Sequence, residues 1–198
     1  REEEQRMRVG KIERNTKETQ ISLSWDLDGE GSYKGTCGVG FFDHMMHALC
    51  VHGGFDIDLT MKGDLEVDCH HSIEDLGIVL GMALKEALQD KGGIRRYGSF
   101  YIPMDEALGF CALDVSGRAF LVFDASFENP SVGALDCCMV KEFFRALAFQ
   151  AGITLHLKVL YGENDHHKIE AIFKAFAHAL REAVTETDKG VLSSKGVL

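Results

Sequence analysis

Asp68-Cys69-His70-His71-Ser72-Ile73-Glu74 and Asn164-Asp165-His166-His167-Lys168-Ile169-Glu170 decide how this chain is read. Each phrase sets two adjacent histidines and a glutamate at the start of an apolar run with helical spacing. The phrases lie 96 residues apart, and between positions 70–88 and 166–184 eight of nineteen aligned residues are identical. That is an internal duplication, and what it repeats is a set of metal-ligand types. On a helix, residues three or four apart share a face, so Glu74 can join His70 or His71 at one ion. Adjacent histidines point about 100° apart and do not easily chelate the same ion. Four histidines and two glutamates therefore suggest two ions, with each His-His pair divided between them. Mixed imidazole and carboxylate ligation suits manganese, iron, cobalt or zinc better than calcium or magnesium. The plainer alternative is two helix starts carrying histidines and a carboxylate near the positive dipole end. The repeat weighs against it, because the ligands are preserved while many of their neighbours are replaced.

The duplication continues upstream. His44-Met45-Met46-His47-Ala48-Leu49, then Gly54, aligns with Glu142-Phe143-Phe144-Arg145-Ala146-Leu147, then Gly152, at a fixed offset of 98. His44 thus sits where the second half has Glu142, each on a short helix ahead of the strand leading to a His-His phrase. The array becomes His44, His70, His71 and Glu74 with Glu142, His166, His167 and Glu170. Eight ligands supply four to each of two ions and leave positions open for substrate.

With 198 residues, 45% of them hydrophobic, the chain can bury a core as one compact unit. The duplication divides that unit into two pseudo-repeats, about 11–105 and 106–190, followed by a C-terminal tail. No apolar stretch is long enough for a bilayer and no signal-peptide pattern opens the chain, so no membrane partner is expected. The start, Arg1 to Arg8, is charged and expected to fray. A formal charge of −10 argues against a nucleic-acid partner, so clustered basic residues must serve something small and anionic. Cys37, Cys50, Cys69, Cys111, Cys137 and Cys138 form no C-x-x-C pair and read as reduced, mostly small core residues of a cytoplasmic protein. Cys69 beside His70 is no ligand, since its counterpart is Asp165.

Each half opens with strands. Thr19 to Trp25 alternates, and 109–115 with 119–124 reads as a hairpin turning at Ser116-Gly117. Short helices follow at about 43–52 and 138–150, ended near Gly53-Gly54 and Gly152. Next come alternating strands at 55–59 and 153–157. The long helices carry apolar residues at Ile73, Leu76, Leu80, Leu84 and Leu88, matched by Ile169, Ile172, Phe176, Leu180 and Val184, a spacing that buries one face against a sheet. The order gives an α+β fold built twice. Too much of the chain is strand for a four-helix di-metal bundle.

These phrases, with Arg14-Asn15-Thr16-Lys17-Glu18-Thr19, Gly40 to His47, Arg95-Arg96-Tyr97-Gly98, Pro103 to Ala107, Asp114 to Arg118 and Ser193-Ser194-Lys195-Gly196, resemble the imidazoleglycerol-phosphate dehydratase family of histidine biosynthesis, in family order over roughly 9–198. The resemblance implies an internally duplicated α+β fold, ribosomal protein S5 domain 2-like, with two similar halves each of a mixed or antiparallel sheet packed on two helices. It implies a manganese-dependent hydro-lyase (two Mn2+ ions per active site) that converts D-erythro-imidazole glycerol phosphate to imidazole acetol phosphate. It further implies a 24-subunit homo-oligomer built from trimers with sites shared between subunits, located in the cytoplasm, or in the plastid of a plant. The metal ligands carried over are His44, His70, His71, Glu74, His166, His167 and Glu170. The eighth family position is a histidine in many members and Glu142 here. His156 is a possible substitute, although a histidine facing the sheet is the simpler reading.

The elimination breaks an unactivated C–H bond and expels hydroxide with no carbonyl to absorb charge. The imidazole ring is the only electron sink, so two ions on its two nitrogens suggest passage through a metal-bound imidazolate. For acid–base work the resemblance selects Glu18, with Asp105 and Glu106 as candidates for proton relay or loop geometry. His47 is expected to approach the ring or a metal, and His52 to cap its helix. Arg96, Arg118, Lys174, Ser193, Ser194 and Lys195 are the expected phosphate contacts. Two alternatives use the same ligand types: a di-metal hydrolase of a small phosphate ester, with ions about 4 Å apart, or a non-enzymatic metal-binding shell.

Overall fold

The computed structural model describes residues 7–198. The chain runs β1 (Val9–Asn15), β2 (Thr19–Asp26), β3 (Tyr33–Gly35), α1 (Gly40–Gly53), β4 (Asp56–Gly63) and α2 (His70–Leu88). The order then repeats as β5 (Tyr97–Met104), β6 (Ala107–Asp114), β7 (Phe120–Asp124), α3 (Cys138–Ala151), β10 (Thr154–Tyr161) and α4 (Asp165–Val184). A small hairpin, β8 (Ser131–Val132) with β9 (Leu135–Asp136), interrupts the second half before α3. Two four-stranded sheets result, ordered β1-β2-β4-β3 and β5-β6-β10-β7. In each, the last strand is parallel to its neighbour and the other pairings are antiparallel.

Period-two burial turns one face of each sheet inward. Ile21, Leu23 and Trp25 on β2 and Cys111 and Leu113 on β6 are buried. The apolar stripe of α2 lies on β1 and β2, and that of α4 on β5 and β6. A glycine permits each close approach. A Cβ on Gly10 of β1 would stand 1.9 Å from the Ala83 carbonyl oxygen, and one on Gly98 of β5 would stand 1.8 Å from that of Ala179. The short helices cross over: α3 packs on α2, and α1 packs on α4. Phe42 of α1 meets Phe173 of α4, while Phe143 and Phe144 of α3 join the same buried cluster. This crossing is what brings His44 to the second His-His phrase.

Three expectations change. The second sheet begins with β5 at Tyr97, so the repeat boundary falls between Leu88 and Tyr97 and not at 105. The strands flanking Ser116-Gly117 do not form a hairpin, because β10 pairs with both and separates them. Expected fraying at the start falls mostly on residues 1–6, which lie outside the described residues, but Arg8 is buried. It donates to Asp28 at 2.7 and 2.9 Å and to the Val184 carbonyl at 2.5 Å. Among the described residues no helix is long and apolar enough to cross a membrane.

Candidate active site

The His-His phrases open α2 and α4. The Asp68 carboxylate accepts from the His70 N–H at 2.8 Å, and the Asn164 side-chain oxygen accepts from the His167 N–H at 3.1 Å. Asn164 is the N-cap of α4, whereas Asp68 stands one residue before the N-cap of α2, and each bond ties down the backbone at the start of its helix. His70 Nε2 then lies 3.1 Å from Glu74 Oε2, and His166 Nε2 lies 2.9 Å from Glu170 Oε2. One turn of helix thus joins the first histidine of each pair to the glutamate. His44, from α1, completes the second group: donor atoms of His44, His166 and Glu170 all lie within 4.8 Å of one another. Two imidazole nitrogens and a carboxylate converging this way fit a divalent transition ion.

The second histidine of each pair turns elsewhere. His71 Nδ1 is 2.7 Å from Asp64 Oδ2 and 3.6 Å from Glu18. His167 Nδ1 is hydrogen-bonded to Glu106, and its Nε2 is 3.7 Å from Asp105. The β1–β2 turn presents Glu18. Thr16 Oγ1 accepts from the N–H groups of Glu18 and Thr19 at 3.1 Å each, and Thr19 Oγ1 donates to Asp75 of α2 at 2.6 Å. Arg14 approaches the same aspartate at 3.7 Å. The family-like Arg-x-Thr-Lys-Glu-Thr phrase is therefore a clamp between hairpin and helix that holds Glu18 beside His71.

Glu106 accepts from His167 and from the N–H groups of Glu163 and Asn164 at 3.0 and 3.4 Å. The His167 hydrogen bond, followed by that of Glu163, holds its carboxyl down to about 2. Asp105 is exposed, in the turn at φ +50°. Lys174 was expected at the phosphate but sits beside the His44–His166–Glu170 group, 3.0 Å from Glu170 Oε1. Burial alone would raise the Glu170 pKa. The hydrogen bond and charge of Lys174, with the His166 bond and nearby His44, hold it below its ordinary value instead.

Glu142 lines a cleft with Phe123, Asn129 and Lys141, and among the described residues joins no three-donor group. His47 is exposed on α1 and is brought to neither group. His52 does not cap its helix: its Nδ1 lies 3.1 Å from His178 Nε2. His156 is exposed on β10, opposite Ala112 and Val122.

Five expected phosphate contacts do meet. Arg96, Arg118, Ser193, Ser194 and Lys195 line one cavity of about 580 Å³, together with Lys91. Arg96 is committed to scaffolding, donating to both Asp114 oxygens at 2.7 and 3.1 Å and to the Leu192 carbonyl of the tail at 2.7 Å. Among the described residues the Arg118 side chain pairs with no acid, which leaves its guanidinium for an anion. Sequence reasoning missed Lys91 and Asp64. Lys91 follows α2 with no motif around it, and Asp64 aligns with Gly162, so the repeat gave no signal for it.

The cavity and the histidines stand at opposite ends of α2 and of β5. Lys91 and Arg96 follow the end of α2, whose 19 residues make it roughly 28 Å long, and His70 and His71 open it. The eight residues of β5 separate Arg96 from the Glu106–His167 contact by roughly 25 Å.

A family model described as imidazoleglycerol-phosphate dehydratase matches residues 37–180. The chain belongs to the imidazoleglycerol-phosphate dehydratase family. It is 53% identical over 194 residues to the imidazoleglycerol-phosphate dehydratase of Clostridium kluyveri, covering 97% of this chain and 100% of that one. It is 56% identical over 195 residues to that of Ruminiclostridium cellulolyticum, with the same coverage. The crystal structure of the Staphylococcus aureus dehydratase superposes with a TM-score of 0.82 at 41% identity, over 90% of this chain and 99% of that one. The Pyrococcus furiosus structure gives 0.82 at 36% identity, over 94% and 100%. The chain is accordingly an enzyme of the hydro-lyase class, and the duplicated α+β architecture is that of its family.

Proposed function

We propose that this chain dehydrates D-erythro-imidazole glycerol phosphate to imidazole acetol phosphate in histidine biosynthesis, using two manganese ions. The reading is carried by the convergence of His44, His166 and Glu170 in a family whose name specifies an imidazole substrate. His44, His166 and Glu170 would hold one ion, and His70 and Glu74 the core of the other, with His71, His167 and Glu142 as remaining donors. When bound, such ions draw charge from the ring nitrogens and make the ring an electron sink for the elimination.

The chain's own residues supply the rest. Glu18, half exposed beside His71, takes the proton from carbon, and the departing hydroxyl leaves as water once protonated. The enol so formed tautomerises to the ketone. Arg118, Lys91, Lys195 and the hydroxyls of Ser193 and Ser194 hold the phosphate, and Arg96 fastens the tail that carries three of them. Family membership displaces the hydrolase and storage-shell alternatives.

A substrate of about ten heavy atoms along its length cannot bridge roughly 25 Å between cavity and histidines. The working site therefore joins the histidine end of one copy to the cavity of another, which supports an assembly such as the expected 24-mer built from trimers. Chelator-stripped protein should form the acetol phosphate only when manganese is restored. Folded, manganese-loaded protein that forms no product would contradict the proposal.

A further inference from the structure

The two halves repeat one hairpin-and-helix unit, yet their hairpin glutamates do different things. Gly10 and Gly98, and the first residues of β2 and β6, correspond at a constant offset of 88, so Glu18 corresponds to Glu106. Each glutamate faces the second histidine of its pair. Glu106 bonds His167 Nδ1 directly, whereas Glu18 stands back at 3.6 Å from His71 Nδ1. The difference is Asp64, which follows β4 and occupies His71 Nδ1 at 2.7 Å. Its counterpart after β10 is Gly162, which has no side chain, and whose own Cβ would press on Ala107 at 2.7 Å.

We propose that Asp64 and Glu106 are positioning residues performing one task by different routes. Each accepts the Nδ1–H of the second histidine in its half and leaves Nε2 as the metal donor, and Asp64 thereby releases Glu18 for proton transfer. The inference rests on His71 and His167 being metal ligands. A ring nitrogen that donates to a carboxylate fixes both the tautomer and the plane of the other nitrogen's lone pair. Both carboxylates are built for it. Asp64 is mostly covered, and among the described residues its Oδ1 is buried without a hydrogen-bond partner and the His71 ring is the one side chain its carboxylate pairs closely with. Glu106 is locked by two backbone N–H groups besides His167, so it is fixed as an acceptor. Glu18 has no such commitment and is half exposed.

The same duplicated glutamate is thus a structural acceptor in one half and a free acid–base group in the other. Asp64 is what divides the roles.

The test titrates manganese into chelator-stripped assemblies by calorimetry, with unfolding midpoints recorded as a control on folding. Asp64→Ala and Glu106→Ala should each weaken binding at one class of site by roughly 10–100-fold. Asp64→Asn, which keeps a carbonyl acceptor for Nδ1–H, should recover most of the Asp64→Ala loss. Glu18→Gln should bind manganese like the wild type. Unchanged affinity in the two alanine variants, or an equal loss in Glu18→Gln, would overturn the assignment while leaving the metal site itself intact. Wild-type protein that binds no manganese would overturn both.

Discussion

Arg118 and Arg96 show how one cavity divides its cations. Arg96 is held between Asp114 and the tail, whereas the Arg118 guanidinium pairs with no acid among the described residues. Arg118→Ala is expected to raise KM for the phosphorylated substrate roughly 10–100-fold, with a smaller fall in kcat and weaker inhibition by inorganic phosphate. Steady-state kinetics with phosphate as competitor checks this. The two His-His-x-x-Glu turns were legible because a duplication shows which residues survive when their neighbours change. Asp64 was illegible for the same reason, since its repeat counterpart is a glycine. Lys174 was misread as a phosphate contact, although its place four residues after Glu170 is the spacing of a helical ion pair.

At the scale of elements, helix-to-sheet distance is set by the paired glycines of β1 and β5. Gly98→Ala puts a methyl group into the backbone of α4 and is expected to cost about 3 kcal/mol or more. Soluble yield and the thermal midpoint read the effect, and a variant as stable as the wild type would show that the helix shifts freely. The strands and helices were legible from burial periods of two and about 3.6. Strand partners were not. A Ser-Gly turn between two apolar runs reads locally as a hairpin, but burial of β10 between β6 and β7 is decided by contacts distant in sequence. Likewise, no local pattern shows that α1 packs on the other half's long helix, the step that gives His44 its partners.

For the whole molecule, two arginines fasten the halves together. Arg8 links the loop after β2 to the end of α4, and Arg181 of α4 donates to the Gly53 carbonyl at 2.6 Å while lying over the Phe55 ring. Arg8→Met is expected to destabilise the fold by about 2 kcal/mol near neutral pH. The Arg8 hydrogen bond holds the Asp28 carboxyl below its ordinary value of 3.8, against the opposing effect of burial. A depressed carboxylate stabilises the fold above its unfolded pKa and loses that contribution as pH falls through the folded one. The gap between wild type and Arg8→Met in urea unfolding should therefore be full at pH 6 and shrink below about pH 4. A gap independent of pH would remove Asp28 from the account.

In the proposed site a histidine end and an anion cavity, too far apart within one chain, meet between copies. Co-expression of Glu18→Gln with Arg118→Ala tests this arrangement. Assayed at substrate well below the KM of Arg118→Ala, each variant alone should have little activity. If the site takes Glu18 from one copy and Arg118 from another, random mixing restores both native residues at roughly a quarter of the sites, and activity returns in that proportion. Mixed assemblies no more active than the separate variants would contradict the account.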